Sequence, residues 1–141
     1  MAVTNTRIDW KAVAAGAVVA IAVGVLASVV ADAAGLTDAK HQDSNLWCIF
    51  FWIDFIGAGA GGVIAGRRRL DTPMLHGAVV GFCSYLVITA FATTITLVAG
   101  HAGPRIAAVV FAILWLTLGG TIGGYVASWR AQKSRPSGSP L

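Results

Sequence analysis

The sequence predicts an all-α membrane protein, a four-transmembrane-helix bundle with both termini in the cytoplasm. Three observations carry that prediction. Of the 141 residues, 57% are hydrophobic and 11% charged, with a mean hydropathy of +0.77, which leaves too little polar surface for a water-soluble fold. Four apolar runs, about residues 12–30, 46–66, 74–98 and 106–128, are each long enough to cross a hydrocarbon core that needs roughly 20 helical residues. Arg7, Lys11, Arg67, Arg68, Arg69, Arg130, Lys133 and Arg135 fall on one side of these runs, against Lys40 and Arg105 on the other. The basic side is the cytoplasmic one, so the net charge of +4 follows from topology and makes no case for nucleic-acid binding. Backbone polar groups in lipid must be satisfied internally, and continuous Ala-, Leu- and Gly-rich runs fit helices rather than alternating strands.

The first run follows Arg7 and Lys11 and precedes Ala31-Asp32-Ala33, a pattern that resembles a secretory signal with its cleavage site. It reads instead as a retained span, being longer than a signal core. Gly16, Ala20, Gly24 and Ser28 recur every four residues along it, a stripe that lets helix backbones approach closely where lipid supplies no hydrophobic drive. The loop of residues 32–45 carries Asp32, Asp38 and Asp43. The second run repeats the stripe with Gly57, Gly61 and Ala65, and the fourth with Gly119, Gly123 and Ala127. These faces are expected to pack within the bundle, and some of them against a second copy or a partner's helix. The third run carries Gly77, Gly81, Tyr85, Thr89 and Thr93 at four-residue spacing, with Thr96 close to the line. Its hydroxyls either bond back to their own helix or line a polar cavity with Thr117 and Thr121. Trp10 and Trp129 at one boundary and Trp47 at the other suit the membrane interface. Residues 1–133 form one transmembrane domain, and 134–141, with two prolines, read as a disordered cytoplasmic tail.

The chain also repeats itself. Arg7-Ile8-Asp9 and Gly16-Ala17-Val18-Val19 return as Arg69-Leu70-Asp71 and Gly77-Ala78-Val79-Val80, and Gly61-Gly62-Val63-Ile64-Ala65 returns as Gly123-Gly124-Tyr125-Val126-Ala127. Two-span units repeated in this way enter the membrane in the same orientation, which predicts a parallel tandem duplication.

Asp54 stands in the middle of a span, where a charge costs at least about 2.5 kcal/mol on insertion scales. Gly57 and Gly61 follow it at three and seven residues, so it shares their face and points into the bundle. At that depth the antiparallel third helix offers Tyr85, with Ser84 and Thr89 one turn or less away, and Thr93 joins Asp54, Tyr85 and Thr89 in the candidate polar site. Such a carboxyl serves as a structural hydrogen-bonding group, as a proton- or ion-coupling group, or as a contact for a partner subunit. Arg67, Arg68 and Arg69 enforce topology and also suit anionic lipid head groups. Cys48 and Cys83 differ in depth by more than about 10 Å, too far to pair. No metal, cofactor or enzymatic chemistry is expected, since His41, His76 and His101 lack ligand spacing and no nucleophile has a matched base.

The stretch from Arg7 to Val13, with Gly61-Gly62-x-x-Ala65-Gly66-Arg67-Arg68 and His76-Gly77-Ala78, resembles a family of small uncharacterised bacterial four-span integral membrane proteins. The resemblance covers nearly the whole chain and implies a bacterial inner-membrane location, with no activity to carry over. Two functions are expected from these features: an accessory or scaffold protein that packs against itself or a larger membrane complex, and a small oligomeric carrier or channel with Asp54 as its coupling group.

Overall fold

The computed structural model describes residues 7–33, 46–98 and 106–134. Four helices account for almost all of them: α1 Trp10–Ala33, α2 Leu46–Arg68, α3 Pro73–Val98 and α4 Ile106–Lys133. Each is long and apolar enough to cross a membrane, and there is no strand among the described residues. At 23 to 28 residues they measure about 35–42 Å. The expectations placed on Lys40, His41, His101, Arg105, Arg135 and the tail beyond Ser134 lie outside the described residues, as do those on the side chains of Asp32, Trp47, Cys48 and Thr96.

Local chemistry sets the helix ends. Asp9 caps α1: its carboxylate Oδ1 accepts the backbone N–H groups of Lys11 at 3.0 Å and Ala12 at 3.3 Å, and its carbonyl accepts that of Val13, satisfying donors a helix start leaves orphaned. A tight turn joins α2 to α3, with Arg69 N–H donating to the Gly66 carbonyl and Thr72 N–H to the Arg69 carbonyl. Thr72 then precedes Pro73 at the first helical position of α3, where the missing proline N–H costs nothing. Arg67 and Arg68 close α2, and Arg130 and Lys133 close α4, placing cations at helix C-termini.

α2 and α3 form the middle of the bundle; each packs on the other and on both α1 and α4, which flank them. Residue pairs define the directions. Gly16 lies against Gly61, Gly57 against Val23 and Gly24 against Asp54, so α1 and α2 are antiparallel. Pro73 meets Gly124, Gly77 meets Gly120 and Gly81 meets Leu116, so α3 and α4 are antiparallel as well. Gly59 meets Gly123 and Gly66 meets Gly124, so α2 and α4 run parallel. The start of α1, the α2–α3 turn and the end of α4 thus share one end of the bundle, here called the basic end.

Two seams run through the molecule. The first, between α1, α2 and α3, holds Val13, Ala65 and Val80, with Ile8, Val79 and Cys83 packed around them. The second, between α2, α3 and α4, holds Ala58, Ala112 and Leu116, with Phe51 and Tyr85 against them. In both, backbone meets backbone. A methyl on Gly16 would come 2.5 Å from the Gly61 carbonyl oxygen, and Gly62, Gly77, Gly81, Gly120, Gly123 and Gly124 have no room for one against the facing main chain.

Candidate functional site

The seat of Asp54 is built by α1. Its Oδ1 lies 3.0 Å from where a β-carbon on Gly24 would stand, and Ile88 of α3 borders the same glycine. A β-carbon at Gly24 would make the Asp54 side chain give way by a few tenths of an ångström. One turn along α1, Ser28 donates its hydroxyl to the Gly24 carbonyl at 2.9 Å. Asp54 is half-buried, and no hydrogen-bond donor reaches its carboxyl among the described residues. It belongs to the first seam.

The polar stripe of α3 belongs to the second. Gly77 and Gly81 are consumed by contact with Gly120 and Leu116 of α4, and Tyr85, one turn further, packs on the Ala58, Ala112 and Leu116 cluster. No hydrogen bond joins the Asp54 carboxyl to the Tyr85 hydroxyl among the described residues; Tyr85 packs beside Ala58 and Phe51, four residues after and three before Asp54 on α2. Thr89 and Thr93 are half-buried on the same line. Other hydroxyls close on their own helices: Ser84 on the Val80 carbonyl, Thr94 on Ala90 and Thr121 on Thr117. Thr117 Oγ1 is buried without a partner among the described residues. Ser84, expected near Asp54, is fully buried and donates to the carbonyl of Val80, which lies in the first seam.

A second polar centre, which the sequence reading did not assemble, ties three segments together at the basic end. His76 is almost completely buried. Its Nε2 accepts the backbone N–H of Asp9 at 3.0 Å, and since a backbone N–H can only donate, the ring proton sits on Nδ1. That proton is directed at the Thr72 carbonyl, 2.9 Å away, with the Thr72 hydroxyl at 3.1 Å. Where a capping box would use an acid at Ala12 to accept the Asp9 N–H, a histidine from another helix does so. Asp9 Oδ2 pairs with Arg69 Nε at 3.1 Å. The guanidinium bond, and then the Ala12 and Lys11 amides, hold the Asp9 carboxyl below its usual value of 3.8 despite some desolvation. Arg67, Arg68 and Arg69 are all exposed, and Arg69 is the one of the three paired with Asp9. The signal for this centre was in the sequence: an Asp one residue ahead of α1 and a His one turn into α3.

Toward the opposite end, aromatic rings take over where the α2–α4 glycines stop. Phe51, Trp52 and Phe55 meet Phe111 and Trp115, with Phe55–Trp115 ring centroids 4.8 Å apart and Trp52–Trp115 5.3 Å apart. Trp115 Nε1 donates to the Phe51 carbonyl at 3.1 Å, giving its polar edge a partner inside an apolar helix pair. At the basic end Lys133 lies over the Trp129 ring at 5.1 Å, and a recess of about 130 Å³ is lined by Leu70, Ser128, Ala131 and Gln132, none of them ionisable.

Among the described residues no group of three or more His, Cys, Asp or Glu side chains is placed to hold a metal ion. The polar chemistry divides between a histidine lock at the basic end and a lone carboxyl in the first seam. Comparison with known proteins finds no matching family model, no matching curated protein and no matching solved structure.

Proposed function

We propose that this chain is a non-enzymatic accessory or scaffold protein of the bacterial plasma membrane, with both termini in the cytoplasm. The observation that carries this reading is that both seams are closed by main-chain contact, which favours a rigid membrane-embedded body over a conduit. The resemblance to small bacterial four-span proteins and the basic side of the chain support the location and orientation. The helix-packing glycines do not serve as the docking faces: Gly16, Gly24, Gly57, Gly61, Gly119 and Gly123 all face other helices of the same bundle. Contact with a larger complex or a second copy then falls to other surfaces. Arg67 and Arg68, left exposed beside the α2 C-terminus, suit anionic lipid head groups.

Purification in a mild detergent followed by a mass measurement tests the reading. A co-purifying membrane protein or a defined oligomer is the expected result, and a strictly monomeric species with nothing bound counts against it.

The half-buried carboxyl of Asp54 favours a second reading, a small oligomeric carrier or channel in which Asp54 exchanges a proton or ion. It predicts that Asp54→Asn abolishes proton-linked flux in vesicles while the protein stays folded, and unchanged flux in the variant removes it. The tandem duplication stays part of the proposal. Its support is the recurrence of Arg-x-Asp and Gly-Gly-x-x-Ala, and the two halves have since diverged in register: Gly16 rests on Gly61, whereas its counterpart Gly77 rests on Gly120 rather than Gly123.

A further inference from the structure

The lock at the basic end fits only a neutral ring. His76 Nε2 accepts the backbone N–H of Asp9 at 3.0 Å, and Nδ1 faces the Thr72 carbonyl at 2.9 Å. A neutral imidazole has one acceptor and one donor nitrogen, which matches these two partners, whereas an imidazolium has two donors. A proton on Nε2 would set N–H against N–H, and the bond to Asp9 would be lost. The ring is 1% exposed, so water does not take over the Asp9 contact, and a buried charge without a partner is costly.

The charged groups at this end offer the imidazolium no replacement. The Asp9 carboxylate is already engaged, Oδ1 by the Lys11 and Ala12 amides and Oδ2 by Arg69 Nε, and Arg69 adds a like charge. Arg7 and Lys11 at the start of α1, Arg67, Arg68 and Asp71 around the α2–α3 turn, and Arg130 and Lys133 on α4 are exposed to solvent. On α2, Ala65 and Gly66 are buried at this end and carry no charge.

We infer that His76 is a proton-released latch: neutral, it ties the residue ahead of α1 to α3 and the α2–α3 turn, and protonated it lets that residue go. The latch is independent of the accessory reading and adds a response to pH. The released state takes up a proton that the locked state excludes, so falling pH favours release. An imidazole in water takes up its proton near pH 6.5, so the released fraction should rise about ten-fold from pH 7.5 to 5.5. Asp9, its carboxyl held below 3.8 chiefly by the bond from Arg69, stays ionised across that range. The second seam, between α2, α3 and α4, has no part in the latch and stays closed.

The test follows hydrogen exchange of the Asp9 amide in the full-length protein in lipid nanodiscs, at pH 7.5 and 5.5, corrected for the intrinsic pH dependence of exchange. Protection of that amide should fall about ten-fold at the lower pH, while the amides of Gly120 to Gly124 in α4 keep theirs. His76→Gln, whose amide oxygen can accept the Asp9 N–H and does not titrate, should show no such pH dependence. Unchanged protection in the native chain, or a fall as large in His76→Gln, overturns the inference. Imidazole nitrogen shifts of the native chain decide the matter even where the variant does not fold. Loss of protection in step with ring protonation supports the latch; a ring that protonates while the Asp9 amide stays protected, or protection lost with the ring still neutral, overturns it.

Discussion

At the residue scale, His76 and Asp9 show how a single hydrogen bond assigns chemistry. Because Asp9 donates from its backbone, the imidazole is the Nδ1–H tautomer, and nitrogen chemical shifts of labelled histidine should report that form; an Nε2–H pattern would contradict the lock. His76→Ala should cost about 1–3 kcal/mol, the range for stranding buried partners, and His76→Gln should recover part of it if the amide oxygen takes the Asp9 N–H. Asp9 has a pH signature of its own. A carboxyl held lower in the folded chain than in the unfolded one stabilises the fold above the unfolded value, 3.8, and that stabilisation is lost as pH falls through the folded value. Unfolding scans should therefore show an acid-induced loss that shrinks in Arg69→Gln, which removes the main cause of the depression; an unaltered acid limb would rule out the Asp9–Arg69 pair as its source. The sequence reading noted Asp9 only as part of a repeat and did not join it to His76, because the two are 67 residues apart and only tertiary folding brings them together.

At the element scale, the glycines decide which faces meet. Gly77 and Gly120 lack room for a methyl against each other's main chain, so Gly120→Ala should push α3 from α4 and cost about 1–3 kcal/mol, as overpacking does. The double variant Gly77→Ala/Gly120→Ala should cost less than the sum of the two, since the helices need separate only once; strict additivity in thermal unfolding would mean the glycines do not share a contact. Gly24→Ala tests a different thing, because the added carbon meets the tip of the Asp54 side chain rather than backbone. It should be tolerated in Asp54→Ala more readily than in the native chain. Trp115→Phe should cost about 1 kcal/mol, the usual worth of a lost hydrogen bond, by removing the indole donor to the Phe51 carbonyl. The small-residue stripes of α1, α2 and α4 were legible as packing faces because four-residue spacing lines up one side of a helix. Which neighbour each stripe would choose was not: Gly77 and Gly81 of α3 meet α4, and Tyr85 packs on the cluster that Ala58 of α2 forms with Ala112 and Leu116 of α4.

At the scale of the whole molecule, composition and four apolar runs determined a four-helix membrane bundle, since a chain this poor in charge has no soluble way to satisfy both its side chains and its backbone. The helices run past the apolar stretches at several ends, α1 to Trp10–Ala33 and α4 to Ile106–Lys133, because capping and basic residues extend a helix beyond its apolar run. The arrangement of the helices was decided only in three dimensions: α2 and α3 in the middle, α1 and α4 at the flanks, and two seams in place of a single polar interior. Helical periodicity states which residues share a face but not what that face meets, and in a bundle with glycine on several faces many pairings offer similarly close contact. The backbone approaches that the tertiary structure realises set Asp54 against Gly24 of α1, and bound His76 to the residue that precedes α1.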